Sequence, residues 1–159
     1  MEQEDKFFSK GAEVEVSSDE QGLLGSWYTA KVLRGVSRKN RKVLVQYHTL
    51  VATNDKKKPL REFVNAVLVR PLPPCEPPGR RFCFSDEVDA FYNDGWWEGV
   101  VTAVLPGGDR YSVFFRHSRE QIDFNGKDLR LHREWVYGDW VPPLEESTNP
   151  SATPVKSVE

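Results

Sequence analysis

Apolar and polar residues alternate with a period of two along most of the chain. The runs are Val14/Val16, Tyr28/Ala30/Val32, Val43/Val45/Tyr47 and Val67/Val69, then Val88/Ala90, Trp97/Gly99/Val101, Tyr111/Val113/Phe115 and Leu129/Leu131. Residues two apart share one face of a strand, so each run predicts a half-buried β-strand. Turn-forming segments divide the runs: Gly22 to Gly25, the basic stretch Ser37 to Lys42, Asn93-Asp94-Gly95 and Pro106-Gly107-Gly108-Asp109. Leu60 to Asn65 reads as one helical turn, and no longer helix is expected. The segment Glu134 to Val141 reads as a closing hairpin whose tryptophans, Trp135 and Trp140, cover a seam.

The same order of runs occurs twice. Glu13-Val14-Glu15-Val16, Gly25-Ser26-Trp27-Tyr28-Thr29-Ala30-Lys31-Val32 and Val43-Leu44-Val45-Gln46-Tyr47 return as Glu87-Val88-Asp89-Ala90, Gly95-Trp96-Trp97-Glu98-Gly99-Val100-Val101 and Tyr111-Ser112-Val113-Phe114-Phe115. A repeat on this scale means two structural units. Each is about 60 residues long, near the size at which a core stands alone only with difficulty, so the two are expected to pack together. The expected fold is all-β, with two small antiparallel β-barrels in tandem. Residues 1–9 form a flexible leader, 10–72 the first unit, 73–80 a connector, 81–144 the second unit with its hairpin, and 145–159 a disordered tail. Pro73, Pro74, Pro77 and Pro78 fix φ and remove backbone donors, which makes the connector stiff and extended.

Charge narrows the function. The 22 basic and 24 acidic residues leave a net charge of -2, too little for the blanket basic surface of a dedicated nucleic-acid binder. The charges are nevertheless clustered. Arg38, Lys39, Arg41 and Lys42, and then Lys56, Lys57 and Lys58, form two basic segments able to contact DNA or RNA phosphates without sequence preference. Glu13, Glu15, Asp19 and Glu20 form an acidic one. The only cysteines, Cys75 and Cys83, have no CxxC spacing and no histidine at ligand spacing, so no metal, cofactor or disulfide framework is expected. Nucleophile elbow, phosphate-binding loop and paired catalytic carboxylates are all missing, which argues against an enzyme. No apolar run approaches the roughly 20 residues that cross a bilayer, so no membrane partner is expected and a soluble, monomeric fragment is.

The string from Lys10 to Glu20, followed by Trp27-Tyr28-Thr29-Ala30-Lys31-Val32, resembles the opening of plant Agenet domains. Val88 to Val101 resembles it again, and Lys127-Asp128-Leu129-Arg130-Leu131-His132 with the Trp135 to Trp140 hairpin resembles the close of a second copy. The likeness runs from about residue 8 to residue 143. It implies Tudor-like barrels in tandem, in nuclear chromatin proteins that bind histone tails. Some similar proteins read a methylated lysine of the histone-three tail in silenced chromatin, and similar Tudor barrels read methylated arginine.

A methylated ammonium has lost hydrogen-bond donors and spread its charge over methyl groups, so aromatic faces recognise it through cation-π attraction. The Tudor-like cage positions, aligned on Asp94-Gly95, fall in the second copy on Phe91, Trp97 and Phe115, with His117 or Phe124 beyond. Tyr92 competes with Phe91. Strand parity sets Trp97 and Phe115 toward the barrel interior or its mouth, and Trp27 and Trp96 on the opposite face, between the units. If His117 borders the cage, its protonation repels the ligand. The first copy holds Tyr28 and Tyr47 at matching places but Ser17 where Phe91 would stand. With Glu13, Glu15, Asp19 and Glu20 around them, these tyrosines form a second cation pocket suited to an unmodified lysine or arginine of the same tail. The competing expectations are nucleic-acid binding through the basic loops and a protein-interaction adaptor.

Overall fold

The computed structural model describes residues 6–144; residues 1–5, at the start of the expected leader, and the expected tail, 145–159, lie outside the described residues. The first unit contains β1 (Glu13–Val16), β2 (Ser26–Arg34), β3 (Lys42–Val51), β4 (Pro59–Asn65) and β5 (Val69–Pro71). The second repeats it with β6 (Glu87–Tyr92), β7 (Gly95–Val104), β8 (Arg110–Phe115), β9 (Glu120–Asn125) and β10 (Leu129–Leu131). A hairpin of β11 (Glu134–Val136) and β12 (Asp139–Val141) follows. The strand orders are β5-β1-β2-β3-β4 and β10-β6-β7-β8-β9, every pairing antiparallel.

The repeat extends to its irregularities. Both long second strands carry a register shift, between Val32 and Arg34 in β2 and between Val101 and Ala103 in β7. An extra residue on one strand bends the sheet and raises its twist. A 3-10 turn, Ala66–Leu68 or Gly126–Asp128, leads into each short last strand. Among the described residues β4 and β9 each pair on one side only. The expected barrels are thus strongly bent, Tudor-like sheets, open along one seam.

Each unit encloses its own core, Val14, Val16, Ala30, Val32, Val43 and Val45 in the first and Val88, Ala90, Val101, Tyr111 and Val113 in the second. The units are also stitched together: Ser26 pairs with Trp97 and Trp27 with Trp96 across β2 and β7, so ten strands share one continuous sheet.

Three expectations fail here. Val67, expected to share a strand face with Val69, sits in the 3-10 turn Ala66–Leu68 and is 84% exposed. Leu60 to Asn65 is strand, not a helical turn, because β4 must satisfy the free edge of β3, with Val64 opposite Val43 and Glu62 opposite Val45. Lys6–Phe8 is a 3-10 turn rather than flexible leader. Phe8 is 3% exposed within the first core, and Phe7 packs edge-on against Trp135 with ring centres 5.2 Å apart. Two adjacent apolar rings gain more from burial than the short segment loses in chain entropy.

Candidate functional site

Strand β1 is buried on both faces. Val14 and Val16 enter the first core, while Glu15, 1% exposed, points into the junction between the units. Its carboxylate accepts from Arg70 at 2.9 and 3.1 Å and from Arg130 at 2.6 and 3.0 Å. Arg130 also donates to Asp89 at 3.0 Å, and the other Asp89 oxygen lies 2.7 Å from His132 Nδ1. Trp27 lies 3.7 Å from the Arg70 guanidinium and Trp96 lies 4.2 Å from that of Arg130, so both indoles serve the junction, as parity predicts. Glu15, Arg70 and Trp27 are the repeat equivalents of Asp89, Arg130 and Trp96.

The two guanidiniums on Glu15 shift in opposite directions. Burial dominates at Arg70 and lowers its pKa; at Arg130 burial also opposes the charge, but the bonds to Glu15 and Asp89 outweigh it and the pKa rises. At His132 burial again acts downward, yet Asp89, Glu134 and Glu98 prevail and hold the imidazole at about 9.

Beside the junction opens a cleft of about 460 Å³. Tyr92, Trp97 and Phe115 give it aromatic walls, Glu98, Glu120 and His117 border it, and the β1–β2 loop supplies Gln21, Gly22 and Leu24. Tyr92 stacks on Phe115 with centres 6.3 Å apart and planes 22° apart, and Phe124 backs both rings edge-on at 6.0 and 5.8 Å. Trp97 packs against both cores and meets Tyr28 edge to face at 6.5 Å.

The cleft therefore unites Trp97, Phe115, Tyr92 and His117 but not Phe91. On β6, Val88, Ala90 and Tyr92 share the inward face, whereas Asp89 and Phe91 share the face toward Trp96, whose ring centre is 5.3 Å from that of Phe91. The two carboxylates at the cleft, Glu98 and Glu120, are not among the site residues expected from the sequence. Alternation puts Glu98 on the face opposite Trp97, with Asp89, so no strand-parity signal pointed to its place at the cleft border.

The corresponding mouth of the first unit is closed. Tyr28 and Tyr47 are both buried, and the Tyr47 hydroxyl donates to Glu62. Burial raises the pKa of both phenols, with Glu62 adding to the effect at Tyr47. The tight Asn93-Asp94 turn, φ 49° and 68°, lays Gly95 against Tyr28, and Thr49 Oγ1 donates to the Asp94 carbonyl at 2.5 Å. By register His117 is the equivalent of Thr49, and it lies against Gly25. Each unit thus caps the other. The cap over the second unit is the longer β1–β2 loop, and beneath it the cleft remains.

The expected second cation pocket does not assemble around Tyr28 and Tyr47. Glu15 is saturated by guanidiniums, and Glu13 pairs at 2.6 Å with His48. Asp19 and Glu20 remain exposed in the loop that rims the cleft. The basic segments do not merge either: Arg38, Lys39, Arg41 and Lys42 precede or begin β3, while Lys56, Lys57 and Lys58 follow its end. The two segments therefore lie at opposite ends of β3, a strand of 10 residues. A larger groove of about 610 Å³ runs under the connector between Arg80, Arg81 and Lys127, but its one ring, Tyr111, already uses its hydroxyl toward Gly108 and Phe82.

Two coupled Tudor-like sheets with a ring-walled, acid-bordered cleft at their junction define a tandem binding module. The chain belongs to the Agenet domain family, which matches residues 11–74 and 85–146. It is similar to the crystal structure of Arabidopsis thaliana AGDP1 AGD34, with a TM-score of 0.78 and 41% identity over 85% of this chain and 89% of that one. Among curated proteins, Protein AGENET DOMAIN (AGD)-CONTAINING P1 of Arabidopsis thaliana is 48% identical over 89% of this chain, and DUF724 domain-containing protein 3 of the same organism is 36% identical over 100% of it. The chain spans only 28% and 23% of the lengths of these two relatives.

Proposed function

We propose that this tandem pair is a nuclear chromatin reader that holds a methylated lysine of a histone tail in the cleft of the second unit. The observation that carries the reading is the convergence of Tyr92, Trp97 and Phe115 with Glu98 and Glu120 around one opening. Three ring faces attract a desolvated alkylammonium, and the two carboxylates offset the loss of its water. Asp19 and Glu20, on the loop that rims the cleft, are the acids placed to take an unmodified basic residue of the same tail. The tail of histone three, with a silencing-type mark, is the ligand that the family likeness favours.

The test is titration of histone-three tail peptides, unmodified and methylated at single lysines or arginines, into the protein and into Tyr92→Ala and Glu98→Gln variants. Tighter binding of one methyl-lysine peptide, weakened in both variants, supports the reading. Equal affinity for methylated and unmodified peptides sinks it, and preference for methyl-arginine assigns the cleft to that ligand instead.

A further inference from the structure

We propose that Glu98, His132 and Glu134 form a binding site for a divalent first-row transition metal ion, with Asp89 orienting the imidazole. Glu98 lies on β7, while His132 and Glu134, two residues apart, lie just after β10 and at the start of β11, so folding brings one distant residue to a local pair. One donor atom from each lies within 4.8 Å of the other two.

The imidazole is set up as a ligand. His132 Nδ1 faces Asp89 Oδ1 at 2.7 Å, and when it donates there the neutral ring keeps its other lone pair on Nε2. A carboxylate behind a ligating histidine fixes the tautomer and raises the basicity of the free nitrogen. Nε2 lies 3.6 Å from Glu98 Oε2 and is also bonded to Glu134. Ligands around tetrahedral zinc, with bonds of about 2.0 to 2.2 Å, sit roughly 3.4 Å apart. The Glu98 oxygen needs almost no movement. Glu134, whose side chain is 59% exposed, is the arm that adjusts.

Charge points the same way. Glu15, Asp89, Glu98 and Glu134 bring four carboxylates to this corner against the guanidiniums of Arg70 and Arg130. Once the ion displaces the Nε2 proton that His132 shares with Glu134, two negative charges are left over, the amount one divalent ion cancels. One imidazole nitrogen with two carboxylate oxygens suits zinc and its neighbours, and water completes the coordination. Glu98 also borders the aromatic cleft from its other side. Where the proposed reader function holds, ion and cleft ligand therefore draw on one carboxylate.

The experiment is calorimetric titration of Zn²⁺ alone into chelator-stripped protein near neutral pH, with thermal melts of every variant. The expected result is one saturable site per chain, weakened more than about tenfold by Glu98→Gln and by Glu134→Gln while both melt as folded proteins. Absence of saturable binding to the unaltered protein overturns the proposal. So does a site whose affinity survives both glutamine substitutions, which would place the ion elsewhere, on His48, His117 or the exposed Cys75 and Cys83. Neither outcome depends on whether the cleft binds a histone tail.

Discussion

Glu15 and Arg130, 115 residues apart in the chain, are joined by hydrogen bonds of 2.6 and 3.0 Å with the glutamate side chain 1% and the arginine 11% exposed. Removing one member of a buried pair strands the other charge, at a cost of about 3 to 5 kcal/mol. Glu15→Gln is therefore expected to lower the unfolding free energy by that order and to loosen both units together. Glu13→Gln, which breaks only the half-exposed pair with His48, should cost less than about 1 kcal/mol. Urea denaturation of the two variants measures the contrast, and equal losses would contradict it.

Ring substitutions separate the cleft from its neighbourhood. Tyr92→Ala should weaken binding of a methyl-lysine peptide by about 1 to 2 kcal/mol, roughly 5- to 30-fold. Phe91→Ala, on the opposite face of β6 against Trp96, should leave the affinity within about twofold, since no wall of the opening is removed. Peptide titration by fluorescence anisotropy distinguishes them, and the reverse order of effects would return the cage to Phe91.

Gly95 is held by space. A Cβ there would lie 2.7 Å from the Tyr28 ring and 3.0 Å from the Trp27 carbonyl, inside the cap over the first unit. Gly95→Ala is expected to destabilise the protein by about 1 to 3 kcal/mol through overpacking. Gly79→Ala meets no atom within 4 Å and carries only the strain of its positive φ, 73°. A melting temperature for Gly95→Ala equal to that of the unaltered chain would show that the turn can lift from Tyr28 freely.

Stability should depend on pH through His132. Asp89 on β6, Glu98 on β7 and Glu134 on β11 face its ring, with Arg130 shared by Asp89, and the folded pKa of about 9 exceeds the ordinary 6.5. The folded state thus holds the proton more tightly than the unfolded one. The stabilisation is complete below about pH 6.5 and disappears as the pH rises through about 9. In chelating buffer the melting temperature of the unaltered protein should fall across that window, while that of His132→Gln stays flatter. Parallel curves would remove His132 as the cause.

The repeat, the strand runs other than Val67/Val69 and the closing hairpin were legible because they rest on local alternation, which a strand imposes on its own sequence. The burial of Glu15 was not. Glu-Val-Glu-Val reads as one wet and one dry face, and only Arg130, arriving from the other repeat, makes burial of that glutamate tolerable. Tyr92 was legible from its parity with Val88 and Ala90, but alignment to Tudor-like positions favoured Phe91. Phe7 and Phe8 were a visible apolar pair inside a stretch read as leader. The meeting of Glu98 with His132 and Glu134 had no local signature, since adjacency of β7 to the β10–β11 corner is set by the whole sheet.

The shared strand pairing between β2 and β7 bears on ancestry. A chain that lost one copy would bare Trp27 and Glu15, or Trp96 and Asp89, to water at once, so such modules should be inherited and shuffled as couples. Chimeras that exchange a single half are expected to succeed only when the incoming half restores the acid at position 15 or the arginine at position 130.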